Sequence, residues 1–211
     1  TEIYTLSLHD ALPICGHVYV IQYHRPMGNA HCKEKCHAME IATNVPGFTL
    51  REAFIDDVPL VLAFIKELAE YERLIHEVKA TEDALRTSLF GERKVAEAVI
   101  GYCEGEPACF ALFFHNFSTF LGQSGIYIED LYVRPAFRGR GFGRAIFAWL
   151  ACLARDRGCG RLEWWVLDWN EPALQFYRSL GAVPMSEWTV QRLGGEALDR
   201  LAGEGKKIDK G

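Results

Sequence analysis

Residues 137–144 read Phe137-Arg-Gly-Arg-Gly-Phe-Gly-Arg144, three glycines alternating with larger side chains. Gly139, Gly141 and Gly143 free the backbone to turn tightly, so that successive amides can point at one ligand. The apolar spacing after Gly141 predicts a helix over 141–157, and the start of a helix favours an anion. Arg138, Arg140 and Arg144 add formal positive charge around the same loop. A pyrophosphate is the ligand that suits such a cradle. The spacing is not the G-x-G-x-x-G of a dinucleotide fold, and the Lys-Ser/Thr pair of a nucleotide triphosphatase is absent. An Arg-Gly tract for nucleic acid would be longer and would not sit between regular elements. A glycine loop that opens a helix for geometric reasons alone stays open as the plain alternative.

The elements that must position this loop follow from periodicity. Phe48–Phe54 alternates apolar and polar residues, as a strand does. Asp56 or Asp57 can cap a helix to about Tyr71, with Leu60, Ala63, Phe64, Leu68 and Tyr71 on one face. Thr81 begins a second helix that stops at Gly91. Lys94–Tyr102 and Ala108–His115 predict an antiparallel hairpin through Glu104-Gly-Glu-Pro107, and Ile126–Val133 a further strand. After the glycine loop and its helix come a strand over Arg161–Leu167, a helix capped by Asn170 and stopped at Gly181, and a closing strand over Trp188–Leu193. This order predicts an α/β chain with a mixed, mostly antiparallel sheet flanked by helices.

Composition bounds the rest. The chain has 211 residues, a net charge of -5, 49% apolar and 24% charged residues, which fits a soluble domain with a real core. The acidic balance speaks against nucleic acid and suits a cationic small molecule. No apolar run approaches the roughly 18 residues of a membrane span, and the start lacks the basic region of a signal peptide. The expectation is therefore a cytoplasmic protein without a membrane partner. Seven cysteines, an odd number without a disulfide-like spacing, read as reduced thiols. His31-Cys32 and Cys36-His37 lack a second ligand pair downstream, so no metal is expected. Residues 1–46 carry five of the seven histidines and little period. They read as an extension outside the fold, whose first fourteen residues resemble translated sequencing-adapter sequence. The domain is expected over 47–205, with a tail at 206–211.

Five stretches taken together carry a resemblance. They are Ile65-Lys-Glu-Leu-Ala-Glu-Tyr-Glu72, Tyr127-Ile-Glu-Asp-Leu-Tyr-Val133, the Arg138-x-x-Gly141-x-Gly143 loop, Val166-Leu-Asp-Trp-Asn-Glu-Pro172 and Phe176-Tyr-x-x-x-Gly-Ala182. In this order, over about 48–203, they resemble the GNAT acetyltransferases, and within them the diamine and thialysine branch. The resemblance implies the GNAT fold with splayed central strands, acetyl-CoA as donor, a small cationic amine as acceptor, and a homodimer. It places Leu131, Tyr132 and Val133 along the pantetheine, residues Arg138, Gly139, Arg140, Gly141, Phe142, Gly143 and Arg144 around the pyrophosphate, and Asn170 on the cofactor. Glu129 matches the base position and Tyr177 the acid that protonates the sulfur of CoA. Tyr71, Glu72, Asp130 and Trp188 match acceptor-side positions.

Each assignment has a plainer counterpart. Glu129 reads equally as a solvated carboxylate, Tyr177 as a core tyrosine with its hydroxyl at the rim, and Glu72 as a surface residue. Ser118-Thr-Phe120 stands where polyamine-specific members carry Asp-Pro-Trp, so a carboxylate for a distal ammonium is missing and a lysine-like or short amine is favoured. The rivals to a small-amine acetyltransferase are a protein lysine or N-terminal acetyltransferase and a non-catalytic acyl-CoA sensor. A cysteine-nucleophile acyltransferase lacks an adjacent His and base.

Overall fold

The computed structural model describes residues 40–208, in two compact units that meet in sequence between Trp165 and Val166. The His31–His37 segment weighed for zinc lies outside the described residues.

The first unit is built on a six-stranded sheet in sequence order. Its strands are β1 (Ile41–Ala42), β2 (Phe48–Glu52), β3 (Glu97–Cys103), β4 (Glu106–Ser118), β5 (Gln123–Val133) and β6 (Leu162–Trp164). All neighbours run antiparallel except β5 and β6, which are parallel. That one parallel pair needs a crossover, and α3 (Phe142–Asp156) supplies it. The expected hairpin is present, with its turn at Glu104 and Gly105 and a longer second strand than the period suggested. The sheet also reaches back to Ile41 opposite Leu50, ahead of the boundary expected at residue 46. Thr43 Oγ1 donates to the Phe48 carbonyl at 2.8 Å and ties this edge down.

Helices α1 (Val58–Tyr71) and α2 (Glu82–Phe90) complete the unit. Thr81 caps α2 by accepting from the Ala84 amide at 3.2 Å, as its position before Glu82-Asp83 predicts. The buried residues of α1 are Val58, Val61, Leu62, Phe64 and Ala69, so only Phe64 of the expected stripe is fully covered. Leu60, Leu68 and Tyr71 are partly buried at the flank of the same cluster, because α1 packs on both the sheet and α2 and needs a wide apolar arc. One core cluster joins Val61, Phe64 and Leu89 to Ile100, Phe110, Leu112 and Tyr132. On α3, Trp149 packs edge-on to Phe113 at 5.9 Å, and Phe147 edge-on to Trp164 at 4.8 Å. Phe110, Leu112 and Tyr132 therefore face α1, whereas Phe113 and Trp164 face α3.

Two ion pairs fix the ends of strands. Arg51 grips Asp57 through two bonds of 2.7 and 2.9 Å and also bonds the Tyr102 hydroxyl. Burial alone would raise the Asp57 carboxyl; Arg51 and the Phe54 amide outweigh it and hold Asp57 below its usual range. Arg134 is forked onto Glu67, donates to the Pro107 carbonyl at 2.8 Å and lies 4.5 Å over the Phe64 ring. The end of β5 is thereby clamped to α1.

The second unit holds α4 (Glu171–Ser179) and α5 (Gly195–Ile208). Asn170 caps α4, its side-chain oxygen accepting from the Ala173 amide at 3.4 Å, and Gly181 follows at φ +85°. The closing strand expected over Trp188–Leu193 is not formed. A strand exists only as a paired ladder, and this segment pairs with no strand among the described residues. Trp188, Val190 and Leu193 are accordingly exposed. No helix of the described residues is long and apolar enough to cross a membrane.

Candidate active site

Strand β5 carries the feature on which the site turns. Asp130 lies opposite Leu112 and Ile128 opposite Phe113, so Glu129 has no partner on β4. This one-residue bulge shifts the alternation of the strand. Tyr132 and Asp130 face α1 with their partners Phe110 and Leu112; beyond the bulge Tyr127 takes that same face with its partner Phe114, 5.0 Å away ring to ring. On the other side of β5, pairing with β6 covers Ile126, Tyr127 and Ile128 only. From Glu129 to Val133 that edge has no strand partner among the described residues. This is the splay, and Leu131, Tyr132 and Val133 lie along it.

Three carboxylates gather at the bulge. Burial, with the charges of Glu129 and Glu72, pushes the half-buried Asp130 up to about 7. Burial also raises Glu72, at the C-terminus of α1. Glu129 itself is exposed. Tyr71, next to Glu72, is half-buried, and its ring lies 4.7 Å under the Arg138 guanidinium.

The glycine loop follows β5 through a single turn at Pro135–Phe137. Gly139 and Gly141 have φ of +75° and +87°, a conformation that costs any residue with a Cβ. Among the described residues nothing lies within 4 Å of the Cβ position at Gly139, and only Val45, at 3.7 Å, near that of Gly141, so both positions face open space. Gly141 is the N-cap of α3, and the first amides of that helix, at Phe142, Gly143 and Arg144, have no acceptor within it. Alternating backbone handedness followed by a helix start makes an anion nest. Phe142 is anchored beneath, stacked on Phe48 at 4.0 Å. The arginines differ from expectation in one respect. Arg138 turns back, donating from Nε to the Val133 carbonyl at 2.9 Å and covering Tyr71 and Tyr132, so it braces the loop, while Arg140 lies over Phe142 at 5.1 Å.

Asn170, Tyr177 and Trp188 belong to the second unit. Asn170 is buried at the cap of α4, Tyr177 is half-buried in its last turn with its ring 5.5 Å from Phe176, and Trp188 is 69% exposed in the segment without regular structure. The first unit thus brings together Tyr71, Glu72, Glu129, Asp130 and the glycine loop. No residue pattern announces the bulge: Ile126, Ile128 and Tyr132 keep an unbroken even spacing because both faces of the sheet are covered there, and apolar residues suit either.

The Acetyltransferase (GNAT) family matches residues 61–182, from α1 to just past α4. Thialysine N-epsilon-acetyltransferase of Bos taurus is 41% identical over 166 residues, 74% of this chain and 97% of its own length. An L-ornithine N5-acetyltransferase of Arabidopsis thaliana is 31% identical over 197 residues, covering 72% of this chain and 86% of its own. Among solved structures, an integron cassette protein from the mobile metagenome of V. cholerae superposes with a TM-score of 0.62 at 27% identity, covering 74% of this chain and 98% of that one. The splayed sheet with its glycine nest, and these matches, place the chain in the GNAT acetyltransferase family. It is an N-acetyltransferase, and members of its family take the acetyl group from acetyl-CoA.

Proposed function

We propose that the chain acetylates the terminal amine of a small cationic substrate of the lysine, thialysine or ornithine kind. The observation that carries this reading is the bulge, which collects Asp130, Glu129 and Glu72 where β6 leaves β5. An alkylammonium has a pKa near 10, so at neutral pH only about one molecule in a thousand is the free amine, a deficit of about 4 kcal/mol. Carboxylates attract the cation, and one that titrates near 7 can also take its proton. In this reading Asp130 and Glu72 hold the amine, and Glu129 with Asp130 removes its proton, directly or through water. Tyr71 walls the site, and Trp188 supplies an aromatic contact to the acceptor.

The residues present fit acetyl-CoA. Gly139, Gly141 and the amides of Phe142, Gly143 and Arg144 offer the pyrophosphate an open nest, with Arg140 and Arg144 adding charge. The unpaired edge at Leu131, Tyr132 and Val133 suits the pantetheine amides, and Asn170 contacts the cofactor as well as capping α4. Bound there, acetyl-CoA supplies the activated acetyl group. The free amine attacks directly in a ternary complex, and Tyr177 gives its hydroxyl proton to the leaving sulfur. A homodimer is the assembly expected, which sedimentation measures.

The test is acetyl transfer by the purified chain across thialysine, L-lysine, L-ornithine, diamines, spermidine and a histone-type peptide. Turnover of the ω-amino acids ahead of spermidine and peptide supports the reading. A preference for the peptide, or binding of CoA without turnover of any amine, overturns it.

A further inference from the structure

The parity shift at Glu129 opens a second polar group on the α1-facing side of the sheet. Phe114, Tyr127 and Trp165 form an aromatic strip across β4, β5 and the end of β6, with Trp165 edge-on to Tyr127 at 5.8 Å and 57% exposed. At the far end of this strip three polar side chains meet over Gly125. Asn116, opposite Gly125 on β4, donates from Nδ2 to Glu163 Oε2 at 2.5 Å, and Arg161 Nη2 reaches the same oxygen at 2.8 Å. A Cβ on Gly125 would stand 2.4 Å from Asn116 Oδ1 and 3.0 Å from Arg161 Cγ, so the glycine is what lets the group close. Glu163 lies beside Tyr127 in the parallel ladder.

The arrangement is only partly saturated. Both contacts enter Glu163 through Oε2, and Oε1 accepts no bond among the described residues. Asn116 Oδ1 and Arg161 Nε are buried with no hydrogen-bond partner among the described residues. The side chains of Arg161 and Glu163 keep 35% and 33% of their exposure, so a ligand can reach them. A purely structural plug would satisfy its buried polar atoms, because each one left unpaired is destabilising.

The spacing is informative. In the β4 frame Asp130 sits opposite Leu112 and Tyr127 opposite Phe114, two residues or about 7 Å further on. Glu163 is one strand across from Tyr127, about 5 Å, which sets it about 8 Å from Asp130 at the backbone. An extended chain of four or five bonds of about 1.5 Å spans 5–7 Å, the separation of a side-chain amine from its own Cα in ornithine or lysine. Resting on the function proposed above, we infer that Arg161, Glu163 and Asn116 form a subsite for the α-carboxylate and α-ammonium of an ω-amino acid. Its methylenes lie along Phe114, Tyr127 and Trp165, and its reacting amine is at Asp130. Arg161 pairs with the carboxylate and Glu163 Oε1 accepts from the ammonium. A second carboxylate at residues 118–120 is unnecessary for such a substrate, since its distal charges are of both signs.

Turnover of L-lysine, lysine amide, Nα-acetyl-lysine and cadaverine by the full chain tests the assignment. The wild type should prefer L-lysine to cadaverine and to lysine amide by about 10-fold or more in kcat/KM. In Arg161→Met the lysine-to-cadaverine preference should fall toward 1 through the KM for lysine, and Glu163→Gln should lose discrimination against Nα-acetyl-lysine. Equal use of lysine and cadaverine by the wild type, or variants that change both alike, would show a polar plug that only joins β4 to β6 and would overturn the subsite. If Arg161→Met does not fold, the wild-type series decides alone. Absence of turnover with every amine removes the proposed function, and the subsite with it.

Discussion

Tyr127 and Asp130 are three residues apart on one strand and face the same side of the sheet. In a regular strand they would point to opposite faces. The unpaired Glu129 between them is the cause, and it sets an aromatic floor and a carboxylate in line. In Asp130→Asn the KM for the amine should rise at least about 10-fold, because the amide keeps an acceptor oxygen but loses the charge that pairs with the ammonium. Steady-state kinetics at fixed acetyl-CoA measure it, and an unchanged KM would remove Asp130 from the acceptor site.

The same substitution should alter stability with a definite sign. Asp130 titrates at about 7 in the folded chain, above its unfolded value. The folded state therefore binds the extra proton between those values, and stability falls as pH rises through that window. Above pH 7 the wild type bears the full cost of the buried charge. Asp130→Asn should be stabilised relative to wild type by at least about 1 kcal/mol at pH 8, with the gain gone by pH 4. Urea unfolding at both pH values decides it.

Gly141→Ala probes the nest. Among the described residues the added methyl meets only Val45, at an ordinary distance, so the effect is conformational: φ +87° costs an alanine about 1–2 kcal/mol. If the loop relaxes out of the nest to escape that cost, the KM for acetyl-CoA should rise about 10-fold while the KM for the amine holds. Parallel loss of both would point to a damaged fold, which circular dichroism would register.

Tyr177→Phe removes one hydroxyl from α4. If that hydroxyl protonates the departing sulfur, kcat should fall on the order of 100-fold with little change in either KM. Near-normal turnover would return Tyr177 to the role of a packing residue beside Phe176.

The Arg51–Asp57 clamp gives a pH dependence of opposite sense. Asp57 is held below its usual range in the folded chain, so its contribution is complete above the unfolded value and is lost as pH falls toward the folded one. Asp57→Ala should cost about 2–3 kcal/mol at pH 7, since it also strips an acceptor from the Phe54 amide. The gap to wild type should narrow at pH 3 in denaturant titrations.

Much of this was legible from residue order alone. Thr81, Asn170 and Gly181 announce helix ends because caps and stops are local chemistry, and the glycine loop announces an anion nest because its backbone demands are local too. Non-local pairing was not legible. The closing strand over Trp188–Leu193 has strand-like residues, yet a strand depends on a partner, which the segment itself does not encode. The Glu129 bulge escaped for a related reason, since apolar residues suit both covered faces of β5. Arg134 on Glu67, and Asn116 on Glu163, join residues far apart in sequence, and no spacing rule finds such pairs.

The splay has a further cost and a further use. Beyond Ile128 the inner edge of β5 presents a row of backbone donors and acceptors that β6 does not meet. Open edges of this kind invite pairing with another chain, which is how sheets aggregate. In the function proposed above, the pantetheine amides run along Leu131–Val133 and would occupy that edge as a surrogate strand. On that proposal the donor is also a guardian of the sheet, and the donor-free enzyme should self-associate more readily than the donor-bound one.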